Sequence, residues 1–223
     1  MSTDADPRAR VFATAIIANV RASGGSVVDV RRDARGHGVA DVAAVLLEST
    51  DVLLLADSAD LARHDLSNPR ILTSGVLPDV APAVAFGLQP GTRPALSLCG
   101  TVLAVKDLKA GEGVSYGYTF RTLQDTRVAL VTGGYAQGIP RSLGNRVAVG
   151  VGDARHPIIG RIAMDVCVID IGDARVARGQ SVVYFGDPED GAPAIDRWAA
   201  ESGLTALEIV AGVGLHTRRE YVR

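Results

Sequence analysis

Residues 156–172 read HPIIGRIAMDVCVIDIG. Two β-branched runs, Pro157 to Ile159 and Val166 to Ile169, are split by a turn carrying Gly160 and Asp165. Runs of the same kind surround them: LSLCGTVLAVKDL (96–108), RVALVTGGY (127–135), RVAVGVG (146–152) and SVVYFGD (181–187). They recur at a spacing of about ten residues, broken by Gly, Asp and Asn, which is the rhythm of a small β-barrel or sandwich. One helix is expected near residues 196–202, before a final strand and the basic tail HTRREYVR.

The N-terminal part has a different rhythm. Val11 to Val20 is a dense apolar stretch that reads as helix, ended by Gly24 and Gly25. Ser26 to Val30 reads as a short buried strand. Gly36-His37-Gly38 reads as a flexible turn, and Val39, Val42, Ala43 and Leu46 recur at helical spacing. DVLLLAD (51–57) reads as a second strand, and SADLARH opens a helix with Ser58 as its N-cap. Alternation of this kind implies parallel strands with right-handed crossovers. Residues 68–94 hold five of the ten prolines and read as an extended linker. The expected layout is a βα piece over 1–68, a Pro-rich linker over 69–93 and an all-β domain over 94–223. A closed (β/α)₈ barrel takes about 250 residues. The first piece, with two strands, cannot close one, so its strand edges are expected to be covered by something else, for example a partner subunit.

Composition sets limits. The net charge of −2 leaves no basic field to recruit nucleic acid. No run of 18 apolar residues is present, so no membrane span is expected. The polar N-terminus, MSTDADPRAR, lacks the apolar core of a secretory signal, which predicts a cytoplasmic protein. Cys99 and Cys167 have no metal-ligand spacing and read as reduced core thiols. The four histidines are scattered, so no metal site is expected.

Three stretches of the β-region together resemble the alanine racemase family, the fold-type III pyridoxal phosphate (PLP) enzymes. VKDLKAGEGVSYGYTFRT (105–122) is similar to the family's V-S-Y-G segment. TRVALVTGGYAQGIPRSLGN (126–145) is similar to its G-Y-A-D-G segment, and HPIIGRIAMD to its P-I-V-G-R segment. The β-region match runs from about Pro94 to Arg223. More loosely, DVRRDARGHG (29–38) resembles the family's strand ending with its PLP-lysine motif. The family's third to eighth barrel strands have no counterpart. The resemblance implies α/β plus all-β: an incomplete βα-barrel-like N-terminal piece followed by an alanine racemase C-terminal-type β-barrel domain.

It also implies roles. The family racemises alanine, an isomerase reaction linking L-Ala and D-Ala for cell-wall precursors. PLP is the electron sink and two bases face the α-carbon. One base is the PLP lysine; the other is the V-S-Y-G tyrosine, delivered across a dimer. Tyr116 aligns with that tyrosine. Met164 aligns with a backbone amide position at the substrate carboxylate, Tyr135 with a tyrosine near the cofactor phosphate, and Arg141 and Arg161 with arginines of the substrate access path. Arg31 falls at the lysine position and Arg35 at a tyrosine that helps hold the PLP phosphate. Gln137 replaces a family aspartate. A guanidinium stays protonated and is no nucleophile, and solvated Lys106 and Lys109 are poor substitutes.

Three readings follow. The chain is a degenerate racemase homologue, a pseudoenzyme without autonomous PLP catalysis, that acts as a homodimer or as partner or regulator of a full-length racemase. Alternatively it is an active PLP-dependent alanine racemase. Or Arg31, Arg32 and Arg35 form a phosphate or anion site, with salt bridges to Asp29 and Asp33 as the plain alternative for that cluster.

Overall fold

A computed structural model describes residues 6–223. The chain forms two compact units, one of residues 10–96 with 219–223, the other of residues 97–218 with the stretch ending at Ala9.

The first unit is α/β. The dense apolar stretch starts as strand: β1 spans Arg8–Phe12, and helix α1 begins only at Ala13 and runs to Ser23. Burial alternates along β1, with Ala9 and Val11 inside, so period two wins over period 3.6 there. Three short parallel strands follow, β2 (Val27–Asp29), β3 (Leu53–Leu55) and β4 (Ile71–Leu72), in the order β2-β3-β4. Val28 pairs with Leu54, and Leu54 with Ile71. The crossovers carry helices α2 (Val39–Ser49) and α3 (Ser58–His64). Val39, Val42, Ala43 and Leu46 are buried, as their spacing predicts. Asp57, not Ser58, is the N-cap residue of α3.

The proline-rich stretch supplies β4 and the short helix α4 (Pro82–Ala85), and it is tied down. Asn19, buried on α1, donates to Arg93 O (2.8 Å) and accepts from Arg93 N (2.9 Å). Its amide edge closes like a strand pair, which satisfies a polar side chain that burial alone would penalise. The final strand, β13, covers Arg218–Val222.

The second unit is a closed six-stranded antiparallel barrel. Its strands are β5 (Leu96–Leu108), β8 (Thr126–Thr132), β9 (Ala148–Val151), β10 (Ala154–Ile159), β11 (Val166–Asp170) and β12 (Ser181–Phe185). A hairpin, β6 (Gly113–Val114) and β7 (Phe120–Arg121), lies between β5 and β8. The order is β12-β9-β10-β11-β8-β5, and β12 pairs back on β5. Closure removes the sheet edges, and six strands leave room only for side chains inside. Leu98, Val131, Val149, Ile158, Ile169 and Val182 fill the interior.

Two helices follow β12, where one was expected: α5 (Ile195–Ser202) and α6 (Ala206–His216). Thr205 caps α6 with a capping box, accepting from Glu208 N while Glu208 accepts from Thr205 N. Trp198 of α5 is 1% exposed and packs edge-on against Phe185 and Tyr184. The Tyr184 hydroxyl donates to Thr132 O (2.6 Å) and lies 3.3 Å from Cys167 Sγ. Burial pushes the Cys167 thiol up to about 12, so it stays protonated.

Candidate functional site

The barrel's three motifs meet at one place. Tyr116 sits at the tip of the β6–β7 hairpin, 72% exposed. Val114 and Phe120, on either side of the tip, pack with Leu108, Val128 and Ile159. The apolar anchor holds the hairpin while its tip stays in solvent. The tip backbone is strained: Ser115 has φ +61 and ψ −175, a region almost reserved for glycine, and Tyr118 has φ +45. Ser115 Oγ donates to Arg161 O (2.6 Å), which ties the tyrosine loop to the β10–β11 turn.

A second tie joins that turn to the motif after β8. Tyr135 N donates to Ala163 O (3.0 Å) and Ala136 N to Met164 O (2.9 Å). Gln137 Oε1 accepts from Gly134 N (2.9 Å), while its Nε2 donates to Asp165 (3.2 Å). An aspartate at 137 would set a second carboxylate near Asp165; the amide both accepts and donates. Arg141 lies over the Tyr135 ring, 5.0 Å from its centroid. Tyr116, Met164, Tyr135, Arg141 and Arg161 therefore stand on loops bonded or packed to one another, and all five are exposed.

Gly134 permits this junction. A Cβ there would lie inside contact distance of the Ala163 and Met164 carbonyls. Gly134→Ala is expected to destabilise the barrel by about 1–3 kcal/mol, since an overpacked site must shift backbone. Urea unfolding followed by emission of Trp198, the single tryptophan, checks this. An unchanged midpoint would show that the junction yields freely.

Arg31 and Arg35 lie in the α/β unit, on a turn after β2 (Arg31–Arg35). The turn is left-handed: Arg32, Asp33, Ala34 and Arg35 have φ between +49 and +56. Each such residue costs about 1–2 kcal/mol, so bonds must hold them. Arg32 N donates to Asp57 (2.7 Å), and Asp33 N to Asp60 (2.8 Å). Asp33 accepts from Val39 N (2.8 Å) and from Arg219 (2.5 Å). Gly38, φ +86, closes the turn against Tyr221, whose hydroxyl donates to His37 O; a Cβ at 38 would collide with that hydroxyl.

The Gly-His-Gly segment is thus fixed rather than flexible. His37 is fully buried, stacked on Phe86 at 4.1 Å, with Nδ1 3.1 Å from Ala34 O. The local sequence shows two glycines and a polar ring; burial comes from Phe86 and the C-terminal strand, both remote in sequence.

Arg31 grips Asp29 with both arms of its fork, Nε to Oδ1 and Nη2 to Oδ2, each 2.8 Å. Arg35 Nη2 reaches the same carboxylate at 3.5 Å. Burial pushes the Asp29 carboxyl up, but the Arg31 bonds and charge, with Arg35, outweigh it and hold it below the usual carboxylate range. Asp29, in turn, holds the Arg31 guanidinium protonated. Asp33, the other carboxylate that the sequence sets beside these arginines, pairs instead with Arg219. It also sits on the α2 N-terminus, so a carboxylate already occupies the position where a helix favours an anion.

These residues do not fit covalently held PLP. Residues 10–96 contain no lysine; Lys106 and Lys109 are the two in the chain. Lys106 is exposed. Lys109 pairs with Asp125 at 2.7 Å, which raises its pKa and disfavours the neutral amine that a nucleophile needs. Among the described residues no cluster of His, Cys, Asp or Glu is suited to a metal, and no helix is long and apolar enough to cross a membrane.

The chain thus carries an α/β unit and a closed barrel whose exposed tyrosine stands among three bonded motif loops. A family model described as "Alanine racemase, C-terminal domain" matches residues 95–221, and the chain belongs to that family. An alanine racemase of Frankia casuarinae is 41% identical over 163 residues, 72% of this chain and 41% of that protein. The chain spans 41% of that relative and 52% of one from Salinispora arenicola. Among solved structures, the alanine racemase of D-cycloserine-producing Streptomyces lavendulae superposes with a TM-score of 0.86 at 21% identity, covering 100% of this chain and 98% of that one. That of Bartonella henselae, described with covalently bound pyridoxal phosphate, gives 0.78 at 16%, covering 98% and 100%. At such identities the superpositions establish the fold.

Proposed function

We propose that this chain is a degenerate member of the alanine racemase family, without autonomous PLP catalysis, that acts through its barrel. It pairs with a second copy or with a full-length alanine racemase, to which it offers Tyr116 in the role of the family's tyrosine base. The observation that carries this reading is a contrast within the chain. The α/β unit, whose 29–38 stretch loosely resembles the family's PLP-lysine motif, has Arg31 locked on Asp29 and no lysine, whereas the tyrosine loop has its anchor, its ties and its exposure. A permanently charged guanidinium offers no amine. The relatives' names favour the rival reading, an active PLP-dependent racemase.

Complementation separates the two. The purified chain is expected to stay colourless with added PLP and to leave L-alanine unracemised. Mixed with a full-length alanine racemase whose own V-S-Y-G tyrosine is replaced by Phe, it is expected to restore activity, and its Tyr116→Phe variant is not. Racemisation by this chain alone would defeat the proposal. Failure to co-elute with either itself or a full-length racemase would defeat the pairing.

A further inference from the structure

A second feature of the barrel unit is independent of the tyrosine loops. A cleft of about 390 Å³ lies between the β9–β10 hairpin and the start of α5, and Arg146, Arg155, Arg197 and Trp198 are among its lining residues. Arg146 and Arg197 both reach Glu201, at 3.7 and 2.7 Å, so one carboxylate serves two guanidinium groups. Arg155 donates to Gly191 O (2.5 Å) and among the described residues makes no ion pair. Asp196, in the first turn of α5, is exposed. Three guanidinium groups thus line a space whose bonded carboxylate is Glu201.

Two more observations concern the same space. Ala194, which lines it, is the N-cap residue of α5 and has no side chain with which to cap, so the first-turn N–H groups lack a side-chain acceptor. Trp198 also lines it, 1% exposed, so that its ring floors the space. Donors from a helix start and three arginines suit an acceptor-rich, multiply charged ligand.

We propose that this cleft is a binding site for a small phosphate-bearing anion, either free phosphate or the phosphate group of a small metabolite. Arg155 is its principal charge partner and the α5 N-terminus its backbone cradle. The site is separate from the motif loops and holds whether or not the chain racemises alanine.

Trp198 is the single tryptophan, so its emission reports on this cleft and not on the arginines of the α/β unit. The full chain is titrated with inorganic phosphate at constant ionic strength set by sodium chloride, in parallel with isothermal calorimetry. A saturable emission change and a matching calorimetric isotherm are expected, with the midpoint weakened about tenfold or more in Arg155→Gln, consistent with loss of a charge-assisted contact. Arg31→Gln is expected to bind as wild type. Glycerol phosphate added in a second arm separates a metabolite site, which it fills at lower concentration than phosphate, from a site for the free ion. No heat and no emission change beyond that of the salt control, or a midpoint unaltered in Arg155→Gln, overturns the proposal. Circular dichroism confirms that the variant is folded.

Discussion

Acidification from pH 6.5 to pH 4 is expected to remove roughly 3 kcal/mol of stability from the α/β unit through His37 alone. Burial holds its imidazole at about 4 in the folded chain, against 6.5 in the open one. Above pH 6.5 the ring is neutral in both states and contributes no pH dependence. Between 6.5 and 4 the unfolded chain takes a proton that the folded chain refuses, and stability falls at about 1.4 kcal/mol per pH unit. Below about 4 the folded ring also charges and the loss levels off. Urea midpoints from far-UV circular dichroism, measured from pH 7.5 to 4, should show this slope, and His37→Leu should flatten it. Carboxylates also titrate toward the acid end, so the difference between wild type and variant isolates the histidine. If His37→Leu keeps the full slope, the ring is not what makes the unit acid-sensitive.

Replacing Asp33 is expected to be the most damaging single change to the same unit. Its carboxylate holds the α2 N-terminus through Val39 N and neutralises Arg219, and it is itself buried. Asp33→Ala leaves a half-buried guanidinium without its partner and puts a less tolerant residue at φ +54. Loss of one member of such a pair costs about 3–5 kcal/mol, and alanine is less at home than aspartate in left-handed backbone. Amide exchange across 27–46 should accelerate accordingly. Asp33→Asn keeps an acceptor for Val39 N and a residue suited to positive φ, so its loss should be smaller. Equal losses in the two variants would place the effect in the charge alone. Trp198 lies in the other unit, so its emission is the wrong probe here.

Much of the barrel was legible in the sequence because its strands are β-branched runs separated by turn residues. The helix over Val39–Ser49 was legible for the parallel reason, four apolar residues on one helical face. The errors have local causes. Val11 and Phe12 belong to a strand although they open a dense apolar stretch, since neither period stands out over so short a run. Helix α6 departs from the sequence expectation although Thr205-x-x-Glu208 is a readable capping box, because its mostly apolar sequence resembles a strand. The left-handed turn has no local signal at all: Arg32, Asp33, Ala34 and Arg35 adopt it because Asp57, Asp60 and Arg219, distant in sequence, bind its backbone and side chains.

The sequence by itself determined the β-rich C-terminal region, its three racemase motifs and the absence of any lysine between residues 10 and 96. Tertiary structure decided what those residues do. It turned Arg31 from a loose charge into the bidentate partner of Asp29. It bound Ser115 to Arg161 and Tyr135 to Ala163, so that separate motif loops became one bonded cluster. It also gathered Arg146, Arg155, Arg197 and Trp198 around one cleft. Composition and periodicity record which faces are apolar, whereas hydrogen-bond partners and shared cavities depend on which distant segments the folded backbone brings within about 3 Å.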